Sequence, residues 1–359
     1  MSSATLAAGD LRAVAGRARR RAALGLGGLA AFLLLAVVLS LGLGAFAISP
    51  GEILRILLGA LSGREGTGGA ADLVLLSLRL PRALLGLLVG GGLALCGAVL
   101  QGLFRNPLAD PGLIGVSAGA AVAAAAMIVL GGPLIAFLPQ TLATMAVPFG
   151  ALLGGLVASL AVYAIAHRRQ ATDTATLLLA GIGINAVAAA GISFLLFLSS
   201  DQQLRDFTFW MLGSLGGANW RSLLPALVFL VPPLVVLPLV ARALDALLLG
   251  EASAFHLGFR IETVKRLLIL LVAVQVGAAV ALSGMIGFVG LLVPHLARLA
   301  FGPGHRVLLP ASAMLGAGLM LLADLLARTL VLPAELPIGV LTSLVGGPVF
   351  LLMLMRRSR

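Results

Sequence analysis

Apolar residues gather in ten runs, approximately at 22–46, 80–103, 112–131, 141–166, 175–199, 222–241, 263–282, 286–301, 307–330 and 338–355. A helix needs about 20 residues to cross a bilayer, and most of the runs reach that length; the eighth is short. Backbone polar groups facing lipid must be satisfied within their own segment, so the runs predict helices. The expected fold class is an all-α polytopic membrane protein of ten transmembrane helices. Residues 1–21 form a basic N-terminal arm, and 22–357 a single transmembrane domain.

Composition agrees with the pattern. Apolar residues make up 60% of the chain and charged ones 10%, against roughly 45–50% and 25% in soluble domains. The net charge of +11 does not indicate nucleic acid, because the arginines are dispersed between apolar runs and only 5% of residues are aromatic. With the N-terminus inside, 17 Lys and Arg residues fall on the cytoplasmic side and 7 on the other. That asymmetry predicts both termini in the cytoplasm. The first apolar run is too long for a signal-peptide core and is expected to be an uncleaved span. The lone Cys96 can form no internal disulfide and reads as a packing residue.

The sharpest break in apolarity is QGLFRNPLADPG, residues 101–112. Pro107 and Pro111 each stop a helix and disfavour helical geometry in the residue before them. Asn106 and Asp110 can take up freed backbone donors. Arg105 suits a helix C-terminus. The expectation is a tight turn at the cytoplasmic side.

Two segments repeat: VGGGLALCG at 89–97 and VGAAVALSG at 276–284. Five spans separate them, so the copies have opposite direction across the membrane. Spans 2–5 and 7–10 are therefore expected to be inverted repeats, an architecture common in transporters. The spacings Gly86/Gly90, Gly115/Gly119 and Gly150/Gly154 predict close helix packing.

Several long motifs resemble the FecCD-type permease subunits of ATP-driven importers for iron-siderophores, haem and cobalamin. They are RLPRALLGLLVGGGLALCGAVLQGLFRNPLADPGLIGVSAGAA (79–121), FWMLGSLGGANW (209–220), GMIGFVGLLVPHLARLAFGPGHRVLLPASAMLGA (284–317), ADLLAR (323–328) and ELPIGVLTSLVGGPVF (335–350). The resemblance implies a permease homodimer, two separate ATP-binding cassette subunits and a periplasmic binding protein, in a bacterial inner membrane. It implies no cofactor and no enzyme activity in the chain itself. The absence of a G-x-x-x-x-G-K-[ST] phosphate loop from the sequence agrees with an engine held elsewhere. GSLGG and NPLADPGLIGVSAGAA resemble haem permeases most, with ferric siderophore and cobalamin as the alternatives.

The resemblance also implies residue roles. Arg79, Arg82 and Arg328 match positions that dock acidic residues of the binding protein; the alternative is snorkelling to the interface. Gly250, Glu251, Ala252, Leu257 and Gly258, in the loop 241–261, match the element that seats in the ATPase; the alternative is an amphipathic surface loop. Asn106 and Leu108 match a cytoplasmic gate, and Thr174 its partner. Gly181 and Asn185 mark a span that packs closely or lines the pathway. Asp324 is an acid deep in an apolar run, a candidate for proton coupling, but Arg328 four residues on offers it an ion pair, the preferred reading. His295 reads as a structural hydrogen-bonder, and no His pair has metal-ligand spacing.

Two other function classes require features that would show in the sequence. An ion-coupled secondary transporter needs a coupling site near the midplane, and no convincing acid lies there. An intramembrane enzyme needs a nucleophile–base or metal pair within the spans, and none is evident in the sequence.

Overall fold

A computed structural model describes residues 2–62, 69–168 and 171–357. Arg64 and Arg169, both counted in the charge balance, lie outside the described residues. The helices are α1 (Ser2–Gly42), α2 (Pro50–Leu61), α3 (Leu80–Leu103), α4 (Val116–Val129), α5 (Ala146–Ala166), α6 (Thr174–Phe197) and α7 (Asp201–Leu212). They continue as α8 (Trp220–Val236), α9 (Ala241–Leu248), α10 (Glu251–His256), α11 (Ile261–Ser283), α12 (Val289–Phe301), α13 (His305–Ala327) and α14 (Ile338–Arg357). Two short strands, His167–Arg168 and Ala171–Thr172, pair antiparallel between α5 and α6.

Each expected run coincides with an apolar helix. Among the described residues, seven helical segments are long and apolar enough to span, and three shorter ones lie at Val116–Val129, Val289–Phe301 and Ile338–Met353. The third run starts late because Pro111–Ile114 forms a 3-10 turn rather than part of α4. The arm is not a separate element: α1 runs unbroken from Ser2 into the first span.

Two helices of 12 residues each, α2 and α7, were not anticipated. In α2, Ser49 caps the N-terminus by accepting from the Glu52 amide, and Pro50 sits at the start, where a missing N–H costs nothing. In α7, Ser200 and Gln203 form a capping box. Both carry sequence signals, S-P and S-x-x-Q, that span-length hydropathy passes over.

The centre of the bundle is α3, the most buried span, whereas α1 lies at the periphery. Gly90 of α3 faces Gly316 of α13: a Cβ on either would fall 2.5 Å from the other's carbonyl oxygen. Only glycine permits that approach of two backbones. Gly119 of α4 and Gly154 of α5 meet in the same way, at 2.4 Å each.

The pairing of helices follows the expected repeat. α3 packs on α13, and α11 packs on α5. Spans 2 and 7 therefore each pack on the third helix of the opposite half. The second helix of each half also begins alike, on a left-handed N-cap: Gly115 (φ 78°) before α4 and Phe288 (φ 66°) before α12.

α3 is preceded by a π turn, Val74–Arg79, in which the Leu80 amide reaches back to the Leu75 carbonyl. The next bond of that register would come from Pro81, which has no N–H. The indole of Trp220 donates to the Leu76 carbonyl instead, at 2.8 Å.

Candidate functional site

Two groups of the expected functional residues lie at the ends of α3: Arg79 and Arg82 at its start, and Asn106 and Leu108 just after its close. At its start, the Arg82 guanidinium spans two carboxylates. Nε donates to Asp324 Oδ1 at 2.9 Å and Oδ2 at 3.1 Å, while the two terminal nitrogens donate to Glu335 at 2.9 and 3.0 Å. Arg328 also faces Asp324, but at 3.7 Å. The expected pair within α13 is present as the weaker of two; the tighter partner comes from a residue 242 positions away.

Arg79 and Arg328 turn inward as well. Arg79 donates to the carbonyls of Leu41, at 2.6 Å, and Phe46. Arg328 donates to the Ser40 carbonyl and, at 3.3 Å, to its hydroxyl. Ser40 and Leu41 lie in the last turn of α1, where carbonyls lack helical partners and cations are favoured. The exposed charged group of the cluster is Glu335, whose side chain is 45% exposed. Its hydrogen bonds from Arg82 hold its pKa below the ordinary glutamate range.

At the other end, α3 closes in a Schellman turn. The Asn106 amide bonds the Gln101 carbonyl and the Arg105 amide bonds that of Gly102. Arg105 occupies the left-handed position at φ 48°, where glycine is usual. Asn106 and Asp110 behave as expected: Asn106 Oδ1 accepts from the Leu108 amide at 3.0 Å and Asp110 Oδ1 from the Gly112 amide at 2.8 Å. Burial pushes the Asp110 pKa up, against that hydrogen bond. Asp110 borders a cavity of about 160 Å³ shared with Leu93, Ser117, Val276 and Met285, between the two halves.

Gly181 and Asn185 clasp this turn from α6. Gly181 is buried, and a Cβ there would fall 1.8 Å from the Leu113 carbonyl oxygen. Asn185 donates to the Gly112 carbonyl at 3.3 Å. Thr174 is the first residue of α6, capped by Asp173, which accepts from the Thr176 amide and hydroxyl. The Thr176 hydroxyl bond is the main reason the Asp173 pKa is lowered.

The loop 241–261 holds α9 and α10. Gly250 (φ 105°) and Gly258 (φ 87°) bracket α10, and neither backbone conformation suits an L side chain. Glu251, Ala252 and Leu257 are exposed, as are the large apolar side chains of Leu249 and Phe255. Apolar surface outside the spans marks a binding face. Asp245 of α9 accepts from both the backbone amide and Nδ1 of His305, each at 2.8 Å, tying the loop to α13.

Sequence reasoning missed one centre. Lys265, the chain's single lysine, is buried near the start of α11. Its ammonium meets Glu251 at 2.9 Å, Glu262 at 3.3 Å and the Thr172 carbonyl at 2.8 Å. One lysine among 23 arginines was the available signal. No group of three or more His, Cys, Asp or Glu side chains arranged to hold a metal occurs among the described residues.

Residues 32–356 match the model of the FecCD transport family. The chain belongs to that family. It is an ABC-importer permease, a multi-pass membrane subunit whose ATPase lies in a separate chain. Among relatives of this FecCD permease, it is 45% identical over 328 residues to the hemin transport system permease protein HmuU of Yersinia pestis, covering 90% of this chain and 94% of that one. It is 43% identical to the cobalamin import system permease protein BtuC of Halobacterium salinarum, over 82% and 76% of the two chains. The fold matches a solved inward-facing structure of a metal-chelate type ABC transporter, with TM-score 0.79, 33% identity, and coverage of 92% and 98%.

Proposed function

We propose that the chain is the permease of a haem importer in a bacterial inner membrane. It works as a homodimer with two ATPase subunits and a periplasmic binding protein, both termini in the cytoplasm. The observation that carries the substrate is the 45% identity to a hemin permease along nearly the whole of both chains. The cobalamin permease at 43% keeps cobalamin as the second reading.

In this reading the loaded binding protein docks at the arginine end. Arg82 is the docking residue whose present partner can be exchanged: an incoming carboxylate would displace the half-exposed Glu335. Arg79 and Arg328 contribute positive potential from behind, where they hold α1. ATP turnover moves the ATPase subunits, which act on Glu251, Ala252 and Leu257 between the hinges Gly250 and Gly258. Asn106, Leu108 and Thr174 form the cytoplasmic gate. Substrate passes between two copies of the chain, and the face of α6 that carries Gly181 and Asn185 supports the pathway by packing on the turn at Gly112–Leu113 rather than by lining it. The external protein has already selected the ligand, so a small-residue, apolar lining suffices.

The test is ATP turnover by the chain reconstituted with its ATPase and binding protein in liposomes. Stimulation by the haem-loaded binding protein, and none by a cobalamin-loaded one, is the expected result. The reverse moves the substrate to cobalamin. Failure to associate with any ATPase overturns the importer reading.

A further inference from the structure

Lys265 joins three segments that are far apart in sequence. Glu251 belongs to α10, Glu262 to the first turn of α11, and Thr172 to the strand that leads into α6. Thr174 of the expected gate follows Thr172 by two residues. The same strand is held a second time, since the Thr172 hydroxyl donates to Glu262 at 2.7 Å and lies 3.1 Å from His167 Nδ1. Arg266 completes the cluster through Tyr163, at 2.8 Å.

An ammonium has three donors and no acceptor. Here it has three acceptors, and the side chain is only 5% exposed. Withdrawing any one of them leaves a buried charge under-satisfied, which is costly, so the three segments favour moving together. Arginine, used at every other basic position, is a planar fork and does not match three acceptors converging on one point.

We propose that Lys265 is a positioning residue that transmits displacement of α10 to the start of α6, so that movement imposed on the coupling loop shifts Thr174 at the gate. This rests on the importer reading for its functional meaning; the mechanical tie stands apart from it.

Two measurements test the two parts. In the purified permease alone, amide hydrogen exchange over residues 172–177 and 251–257 reads the tie. Lys265→Met should raise exchange in both segments, and unchanged exchange in both overturns the proposal. In the reconstituted transporter, the ratio of substrate moved to ATP hydrolysed reads the transmission. Lys265→Met should lower that ratio about tenfold in complexes that still co-elute with the ATPase, the scale of a lost charged hydrogen bond. Lys265→Arg should restore it only in part, and Lys265→Met with Glu251→Gln should be no worse than either alone. A wild-type ratio in Lys265→Met overturns the proposal. If that variant does not assemble, Glu251→Gln alone, altering an exposed acid, must lower the ratio; a wild-type ratio there overturns it equally. If Lys265→Met raises exchange but the wild-type chain pairs with no ATPase, the importer reading falls and the tie stands.

Discussion

The two ends of the bundle bury charge in opposite ways. At the start of α3, three arginines and two carboxylates join α3, α13 and the segment before α14, and two of the arginines cap the last carbonyls of α1. Planar guanidiniums serve there because each can bridge partners lying side by side. Toward the other end of the bundle, the buried charge is arranged differently. One lysine holds three segments at a point, and glycines with positive φ flank the exposed α10. The first arrangement is suited to staying fixed. The second combines a stiff junction with glycines in backbone conformations that L side chains avoid, which under the proposed function suits a segment pushed by the ATPase.

The largest expected effect comes from the fixed end. Asp324→Ala removes the carboxylate shared by Arg82 and Arg328, leaving two buried cations under-satisfied. A loss of about 3–5 kcal/mol is expected, read as a large drop in melting temperature of the purified permease. A near-wild-type melting temperature would erase the proposed contrast. At the hinged end, Gly250→Ala forces an L residue to φ 105° with no steric contact to blame. Strain of about 1–3 kcal/mol is expected there, with ATP-driven transport falling more than global stability.

Glu335 sharpens the comparison through pH. Its folded pKa is depressed, so its contribution is present above the ordinary glutamate pKa and disappears as pH falls through the folded value. Glu335→Gln should lower melting temperature by the same small amount at pH 7.5 and pH 6, and the difference should close only below the ordinary glutamate range of about 4.3. Closure near neutrality would mean Arg82 does not hold this carboxylate. The smallest effect is expected at Arg55, which lies 3.6 Å from Glu52 on the exposed face of α2. Arg55→Ala should cost no more than about 0.5 kcal/mol, and a larger cost would extend the fixed end out to α2.

Much of this architecture is legible along the chain because its causes are local. Apolar length specifies the spans, Pro107 and Pro111 end a helix wherever the fold places them, and Asn106 and Asp110 bond to amides two residues away. The caps at Ser49 and Ser200 are equally local and were readable, though hydropathy alone hides them. The family motifs mark Gly250 and Gly258, and the positive φ of each explains why glycine stands there.

The partners of buried charge are a different matter. From sequence, Asp324 has an arginine one helical turn away, and that contact exists at 3.7 Å. Its closer partner, Arg82, is brought within 2.9 Å because α3 and α13 approach through Gly90 and Gly316. Lys265 likewise reads as one basic residue near a helix start until α10 and the strand before α6 converge on it. Helix and turn formation depends on neighbours a few residues apart, so the sequence alone determines where this chain crosses and turns. The pairing of charges depends on which backbones can come within side-chain reach, and only the tertiary packing decides that.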